Sequence, residues 1–343
     1  MTTSVLPQTS LFQAEVPLPP KEGGSLSSKA MLCTVSVSTW SGYKYDREAS
    51  EQIAELHGAD KDSGRFNKRL VPRKELEEIT KLVGRIRRDH EFVTLPWSDN
   101  GFRVLPAAAY MDHTNTMRGH AAEFQAVVSR LAGRFEELVC SQGRLGTLLK
   151  VEDYPGMREE NGKLCFAFPN ELRDKFSFST KVLPLPDADD FRVSMGDQDR
   201  ERIKRKIAES IQASLRVGTR ELWQRLYKVV AHMSQRMTEY NAAEDGQKPR
   251  LYDSMITNIV EIVDVLPKLN IGGDTELDRM ASEVRRSLVV DPQGLRKSET
   301  VRSDTAKSAV DIAQRMAAYM GVPATAARVG TAQAKESGAT VNS

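Results

Sequence analysis

Apolar positions recur at helical spacing along most of this chain. The longest series is Ile203, Ile207, Ile211, Leu215, Leu222, Leu226, Val230, Met233 and Met237, in steps of four, three or seven. Residues so spaced share one face of an α-helix, which predicts a single helix from about Asp197 to Tyr240. At about 1.5 Å per residue it would run roughly 60 Å. Arg202, Arg205, Arg216 and Arg220 fall on the opposite side of the wheel, and Gly218 is a place where the helix could bend. Asp46 caps a short helix to about His57, with Ile53 and Leu56 expected inward. Pro72 opens another to about His90, striped by Leu76, Ile79, Leu82, Val83 and Ile86. Pro106 opens a third to about Gln142, its stripe running through Tyr110, Met117, Phe124, Val127, Val128, Leu131, Phe135, Leu138 and Val139. Leu251–Leu266, Thr275–Leu288 and Thr300–Met320 complete the helices.

Two segments alternate with period two instead. Met31–Trp40 contains Val35-Ser36-Val37-Ser38, and Lys175–Leu183 places Phe176, Phe178, Thr180 and Val182 on one face. A lone strand leaves its backbone groups unpaired, so the two are expected to pair in a small sheet. The predicted fold class is mainly α with a small β-sheet. Residues 1–30, rich in proline, glycine and serine, read as a disordered arm. Residues 31–320 read as one domain, and 321–343 as a disordered tail. Nine large apolar residues on one helix exceed what a single neighbour usually covers. A homo-oligomer is therefore expected, with packing against the Pro106 helix as the competing reading.

Aromatics are 6% of the 343 residues, so the core must rest on Leu, Ile, Val, Met and Ala. No apolar run approaches the roughly 20 residues of a membrane helix, and the N-terminus lacks the pattern of a secretory leader. Cys33, Cys140 and Cys165 form no close pair. No membrane contact and a cytoplasmic, reducing setting are expected. Cys140, on an apolar stripe, is expected to be a buried thiol.

Net charge is only +2, but charge is unevenly spread. Residues 61–88 carry ten Lys/Arg against four Asp/Glu, residues 200–236 ten against three, and residues 237–284 four against ten. Solvated helix faces and internal pairing are the plain explanation; a basic contact surface for phosphates is the sharper one. Lys61, Arg65, Lys68, Arg69 and Arg73 sit in and just after a glycine-containing loop, beside the helix start at Pro72. A helix N-terminus adds unpaired N–H groups that favour an anion. Arg202, Arg205, Arg216 and Arg220 are the second candidate group for nucleic-acid contact.

Tests for catalytic motifs fail. Five residues separate Gly58 from Gly64, and Arg65 stands where a phosphate loop needs lysine. His113 and His120 lie seven apart, not the three or four of a helical metal pair. Asp187, Asp189 and Asp190 are read as ending a strand before the next helix, not as a Mg²⁺ site. Trp223 and Tyr227, four apart, are read as packing residues before base-stacking ones. No catalytic residue, metal or cofactor is expected.

Several blocks carry a resemblance when taken in order. They are His57-Gly-Ala-Asp-Lys-Asp-Ser-Gly-Arg-Phe-Asn-Lys68 with Leu70-Val-Pro72; Thr94-Leu-Pro-Trp97; Leu105-Pro-Ala-Ala-Ala-Tyr110; Phe176-Ser-Phe178 with Pro184-Leu-Pro186 and Asp190-Phe-Arg-Val193; Leu222-Trp-Gln-Arg-Leu-Tyr227 with His232-Met233; and Leu266-Pro-Lys-Leu-Asn270 with Gly273-Asp274. From about Met31 to Leu288 the chain resembles an uncharacterised phage and proteobacterial family, the domain of unknown function 3150 type. Residues 156–168 look like a local insertion. The resemblance implies a phage or mobile-element setting near MoxR-type AAA+ ATPases, and it supplies no catalytic residue. A non-enzymatic scaffold or adaptor, partnering such an ATPase, is the first functional expectation. A DNA-binding protein using segments 61–88 and 200–236 is the alternative.

Overall fold

The structure, a computed structural model, describes residues 26–97, 101–140, 145, 148–186, 197–243 and 251–321. Its elements in chain order begin α1 (Leu26–Lys29), β1 (Ala30–Ser38), β2 (Tyr43–Tyr45), α2 (Arg47–Leu56), β3 (Asn67–Arg69), α3 (Glu77–Phe92), β4 (Leu95–Pro96) and β5 (Arg103–Pro106). There follow α4 (Tyr110–Gly133), α5 (Phe135–Cys140), β6 (Arg158–Glu160), β7 (Lys163–Cys165), α6 (Pro169–Arg173) and β8 (Ser177–Pro184). The C-terminal part is helical: α7 (Asp197–Ala242), α8 (Ser254–Leu269), α9 (Thr275–Leu288), α10 (Pro292–Lys297) and α11 (Glu299–Tyr319). The protein is mainly α-helical with a small sheet, in the strand order β4-β5-β1-β8. β1 and β8 are the two strands read from alternation, and they are neighbours. The expected N-terminal arm and C-terminal tail lie outside the described residues, apart from a few at their inner ends, as do Asp187, Asp189 and Asp190.

Helix starts follow local chemistry. The Asp46 carboxylate accepts from the Ala49 N–H at 3.0 Å at the head of α2. Asp274 accepts from Glu276 and Leu277 at 3.0 and 3.1 Å at the head of α9. Such a cap satisfies donors the helix itself leaves open, at about 1 kcal/mol.

The described chain divides into two compact units, one within Met1–Leu32, Thr94–Ala109 and Leu183–Ser343, the other Cys33–Val93 with Tyr110–Val182, each assembled from separated stretches. In the first unit α7 packs against α11 and α8, and α8 against α9. Leu222, Leu226, Val230, Met233 and Met237 of α7 are buried there. Trp223 is buried too, its ring 4.6 Å from that of Tyr319 and its Nε1–H donating to Asp274 at 2.9 Å. That bears out packing for Trp223. The other four members of the seam, Ile203, Ile207, Ile211 and Leu215, are only half-buried.

The second unit has its core where α3 meets α4, with Ile79, Leu82, Ile86, Met117, Phe124 and Leu131 buried. Three expectations fail here. Ile53 and Leu56 point outward, Leu56 being 81% exposed, and α2 buries Ser50 and Ala54 instead. The reason is polar: the Ser50 hydroxyl donates to the Asp46 carbonyl at 2.6 Å and accepts the Phe66 N–H at 2.9 Å. The helix predicted to Gln142 is also interrupted after Gly133 and restarts as α5. The restart leaves Cys140 exposed, while Cys33 on β1 is buried.

Candidate functional site

The basic segment 61–73 surrounds a two-stranded antiparallel ribbon, β2 with β3, in which Tyr43 faces Arg69, Lys44 faces Lys68 and Tyr45 faces Asn67. Directly opposed residues point to the same side of a sheet, and successive residues to opposite sides. Tyr43, Tyr45, Asn67 and Arg69 therefore share one face, Lys44 and Lys68 the other. The two faces have different chemistry.

The inner face is an ion-pair clamp. The Lys68 ammonium lies 2.7 Å from Asp153 and 3.0 Å from Asp46, and donates to the Leu148 carbonyl at 3.1 Å. Lys44 lies 2.9 Å from the other oxygen of Asp153. The side chains of Lys68 and Asp153 are 7% and 4% exposed. Burial by itself would push the Lys68 ammonium down, but its hydrogen bonds to Asp153 and Asp46 outweigh that and hold it above its ordinary value. For Asp153 burial pulls upward, and Lys68, the Lys150 N–H and Lys44 together bring the carboxyl below the usual range. Asp46 is held low by the Ala49 N–H and then by Lys68. Lys68, one of the basic residues expected to meet phosphate, is thus occupied inside the protein.

The outer face is aromatic and cationic. Tyr43 and Tyr45 are 42% and 47% exposed. The Arg69 guanidinium stacks 4.7 Å from the Tyr43 ring centre and hydrogen-bonds the Tyr43 hydroxyl, and Arg65 lies 5.8 Å from the Tyr45 ring centre. Lys61 and Arg73 are exposed as well. Among the described residues, none of Lys61, Arg65, Arg69 and Arg73 has a carboxylate within 4.0 Å.

The second candidate group differs. On α7 Arg202 pairs with Asp199 at 2.9 Å, Arg205 and Arg216 are exposed, and Arg220 is half-buried. Arg225 of the same helix donates to the Thr94 carbonyl at 2.9 Å and pairs with Glu221. Much of the charge on α7 is answered by its own carboxylates. An open groove of about 1220 Å³ lies beside the ribbon, with Trp40, Tyr43, Lys44 and Asp153 in its wall. Five carboxylates against four basic side chains line it, so it offers a polyanion no advantage.

A third constellation joins residues that lie far apart in the sequence. Cys33 of β1, His90 of α3 and His113 of α4 converge in the second unit, with one donor atom from each within 4.8 Å of the others. All three are buried, at 1%, 6% and 4% exposure. His90 Nδ1 and His113 Nε2 are 3.0 Å apart, and burial pushes the His113 imidazole down toward its neutral form. His120, seven residues further along α4, meets Asp89 at 2.8 Å. Separations of 57 and 23 residues match no ligand motif, so only the fold brings this cluster together.

No protein-family model, curated protein or solved structure matches the chain. Among the described residues no helix is long and apolar enough to cross a membrane.

Proposed function

We propose that the outer face of the β2–β3 ribbon is a contact surface for single-stranded nucleic acid. One observation carries the reading: two exposed tyrosines share a face with an arginine stacked on one of them, and a second arginine lies over the other. Every base has a π-face, so exposed aromatic rings bind single strands with little sequence preference, while arginine and lysine meet the phosphates. A duplex hides its base faces and would use only the charges. The test is fluorescence anisotropy with a labelled single-stranded oligonucleotide and its duplex across a salt series. Preference for the single strand, with affinity falling as salt rises, supports the proposal. Equal binding of both forms, or none at low salt, removes it.

A second reading, self-association as an oligomeric scaffold, has its own observation. The first half of α7 carries Ile203, Ile207, Ile211 and Leu215 half-buried, whereas the second half of the seam is covered. Sedimentation of the full chain and of Ile207→Arg tests it: a wild-type dimer that the variant dissociates supports it, and a 38.2 kDa monomer ends it. A MoxR-type AAA+ ATPase remains a proposed partner through the resemblance alone, and co-purification of the two chains tests it.

A further inference from the structure

We infer that Cys33, His90 and His113 form a binding site for one d¹⁰ metal ion, Zn²⁺ or Cu⁺. Three residues from three elements converge with donor atoms within 4.8 Å of one another. Thiolate and imidazole are the donors that borderline and soft cations prefer over the carboxylate oxygens that hold Mg²⁺ or Ca²⁺.

The geometry is close to what such an ion needs. Metal–nitrogen bonds of about 2.0–2.1 Å and metal–sulfur bonds of about 2.3 Å put tetrahedral donors roughly 3.3–3.6 Å apart. The two imidazole nitrogens, now 3.0 Å apart, need to open by a few tenths of an ångström. The sulfur needs to close by at most about 1.2 Å from the 4.8 Å limit. Both are shifts of roughly an ångström or less in side-chain donor atoms. Two changes of protonation are required. The imidazole that donates the hydrogen bond between His90 and His113 shifts its proton to its other ring nitrogen and stays neutral, and the thiol loses its proton, so binding releases one proton to solvent.

Charge favours one of the two ions. A thiolate and two neutral imidazoles carry a single negative charge. Cu⁺ makes the cluster neutral, while Zn²⁺ leaves one positive charge in a core where all three ligands are under 10% exposed. Zn²⁺ would also bring a fourth ligand to complete its tetrahedron, whereas Cu⁺ accepts three. The ordinary alternative is a hydrogen-bonded pair of core histidines beside a buried thiol.

The site is independent of the ribbon, and its test uses the full chain without nucleic acid. Protein stripped by chelator is titrated with Zn²⁺ against a chromophoric competitor. It is titrated with Cu⁺ under reducing, oxygen-free conditions, and with Co²⁺ as a spectroscopic probe. The expected result is one equivalent of Zn²⁺ or Cu⁺, bound below micromolar, and a cobalt spectrum with thiolate charge-transfer absorption. Cys33→Ala should abolish that absorption, and His113→Gln should weaken binding by more than about 100-fold, beyond the usual loss of an outer-shell partner. Tighter Cu⁺ binding supports the neutral cluster; Zn²⁺ alone supports the site and overturns the charge argument. If a variant does not fold, the wild-type cobalt spectrum still decides. Uptake below about a tenth of an equivalent by folded wild type, or undiminished binding by folded Cys33→Ala/His113→Gln, overturns the inference.

Discussion

Replacing Lys68 by methionine separates the two faces of the ribbon. Methionine keeps the length and apolar stem of lysine and removes only the ammonium. Asp153, 4% exposed, would keep Lys44 at 2.9 Å and the Lys150 N–H at 2.9 Å but lose its partner at 2.7 Å. Asp46, 14% exposed, would lose its partner at 3.0 Å and keep its place as a helix cap. Breaking a buried pair by removing one member costs about 3–5 kcal/mol, and the remaining contacts of Asp153 argue for the lower end. At about 4 °C per kcal/mol for a domain of this size, the melting temperature should fall by roughly 12 °C. Arg65→Ala and Arg69→Ala, on the solvated side, should each change stability by no more than about 0.5 kcal/mol. Urea unfolding followed by circular dichroism measures all three. The pH dependence adds a signature. Asp153 and Asp46 are held below the ordinary 3.8, so their contribution is present above that pH and is lost as pH falls through their folded values. Lys68 is held above the ordinary 10.5, so its contribution is present below that pH and is lost as pH rises through its folded value. The difference between wild type and Lys68→Met should be flat between these limits and shrink at both ends. A Lys68→Met chain within about 0.5 kcal/mol of wild type at neutral pH would refute the clamp.

Further expectations rest on single contacts. Gly156→Ala should unfold the second unit or lower its melting temperature steeply, because φ is +78° and a Cβ would stand 2.2 Å from the Phe168 carbonyl oxygen. Gly58→Ala, at φ +61° in open space, should cost only about 1 kcal/mol, and thermal melts of both chains compare them. Asp274→Ala removes the acceptor of Trp223 and the cap of α9 together and should cost about 2–4 kcal/mol in a urea titration. A thiol reagent should label Cys140 first and Cys33 only on unfolding, as peptide mapping would show; burial and Glu136 push the Cys140 thiol up, so its labelling should speed as pH rises past neutrality. Rapid labelling of native Cys33 would contradict its burial.

Long-range pattern in the sequence was enough for the large elements. The α7 seam, the α3 stripe and the two alternating strands each repeat a period many times, and repetition outweighs local accidents. Short elements lack that redundancy. Tyr43-Lys44-Tyr45, between Gly42 and the Asp46 cap, alternates for only three residues. Its partner Asn67-Lys68-Arg69 looks like any polar loop, and pairing alone turns Lys68 inward and Arg69 outward. That is why a basic segment read as uniform divides into a structural lysine and an exposed arginine face. Ile53 and Leu56 misled because the backbone demands met by Ser50 set the roll of α2. Cys33, His90 and His113 were illegible because β1, α3 and α4 supply one residue each.

Single-strand contact by the ribbon's outer face is tested most directly by the salt dependence of binding. Affinity for a labelled oligonucleotide is measured across a salt series for wild type, Arg65→Ala/Arg69→Ala and Tyr43→Ala/Tyr45→Ala, with folding checked by circular dichroism. The arginine pair should flatten the slope of log affinity against log salt by about 1.4, at roughly 0.7 per phosphate of a single strand. The tyrosine pair should leave the slope intact and lower affinity by about 5- to 150-fold for each ring that stacks on a base, from about 1–3 kcal/mol per stack. Slope and affinity unchanged in both folded variants would contradict the account.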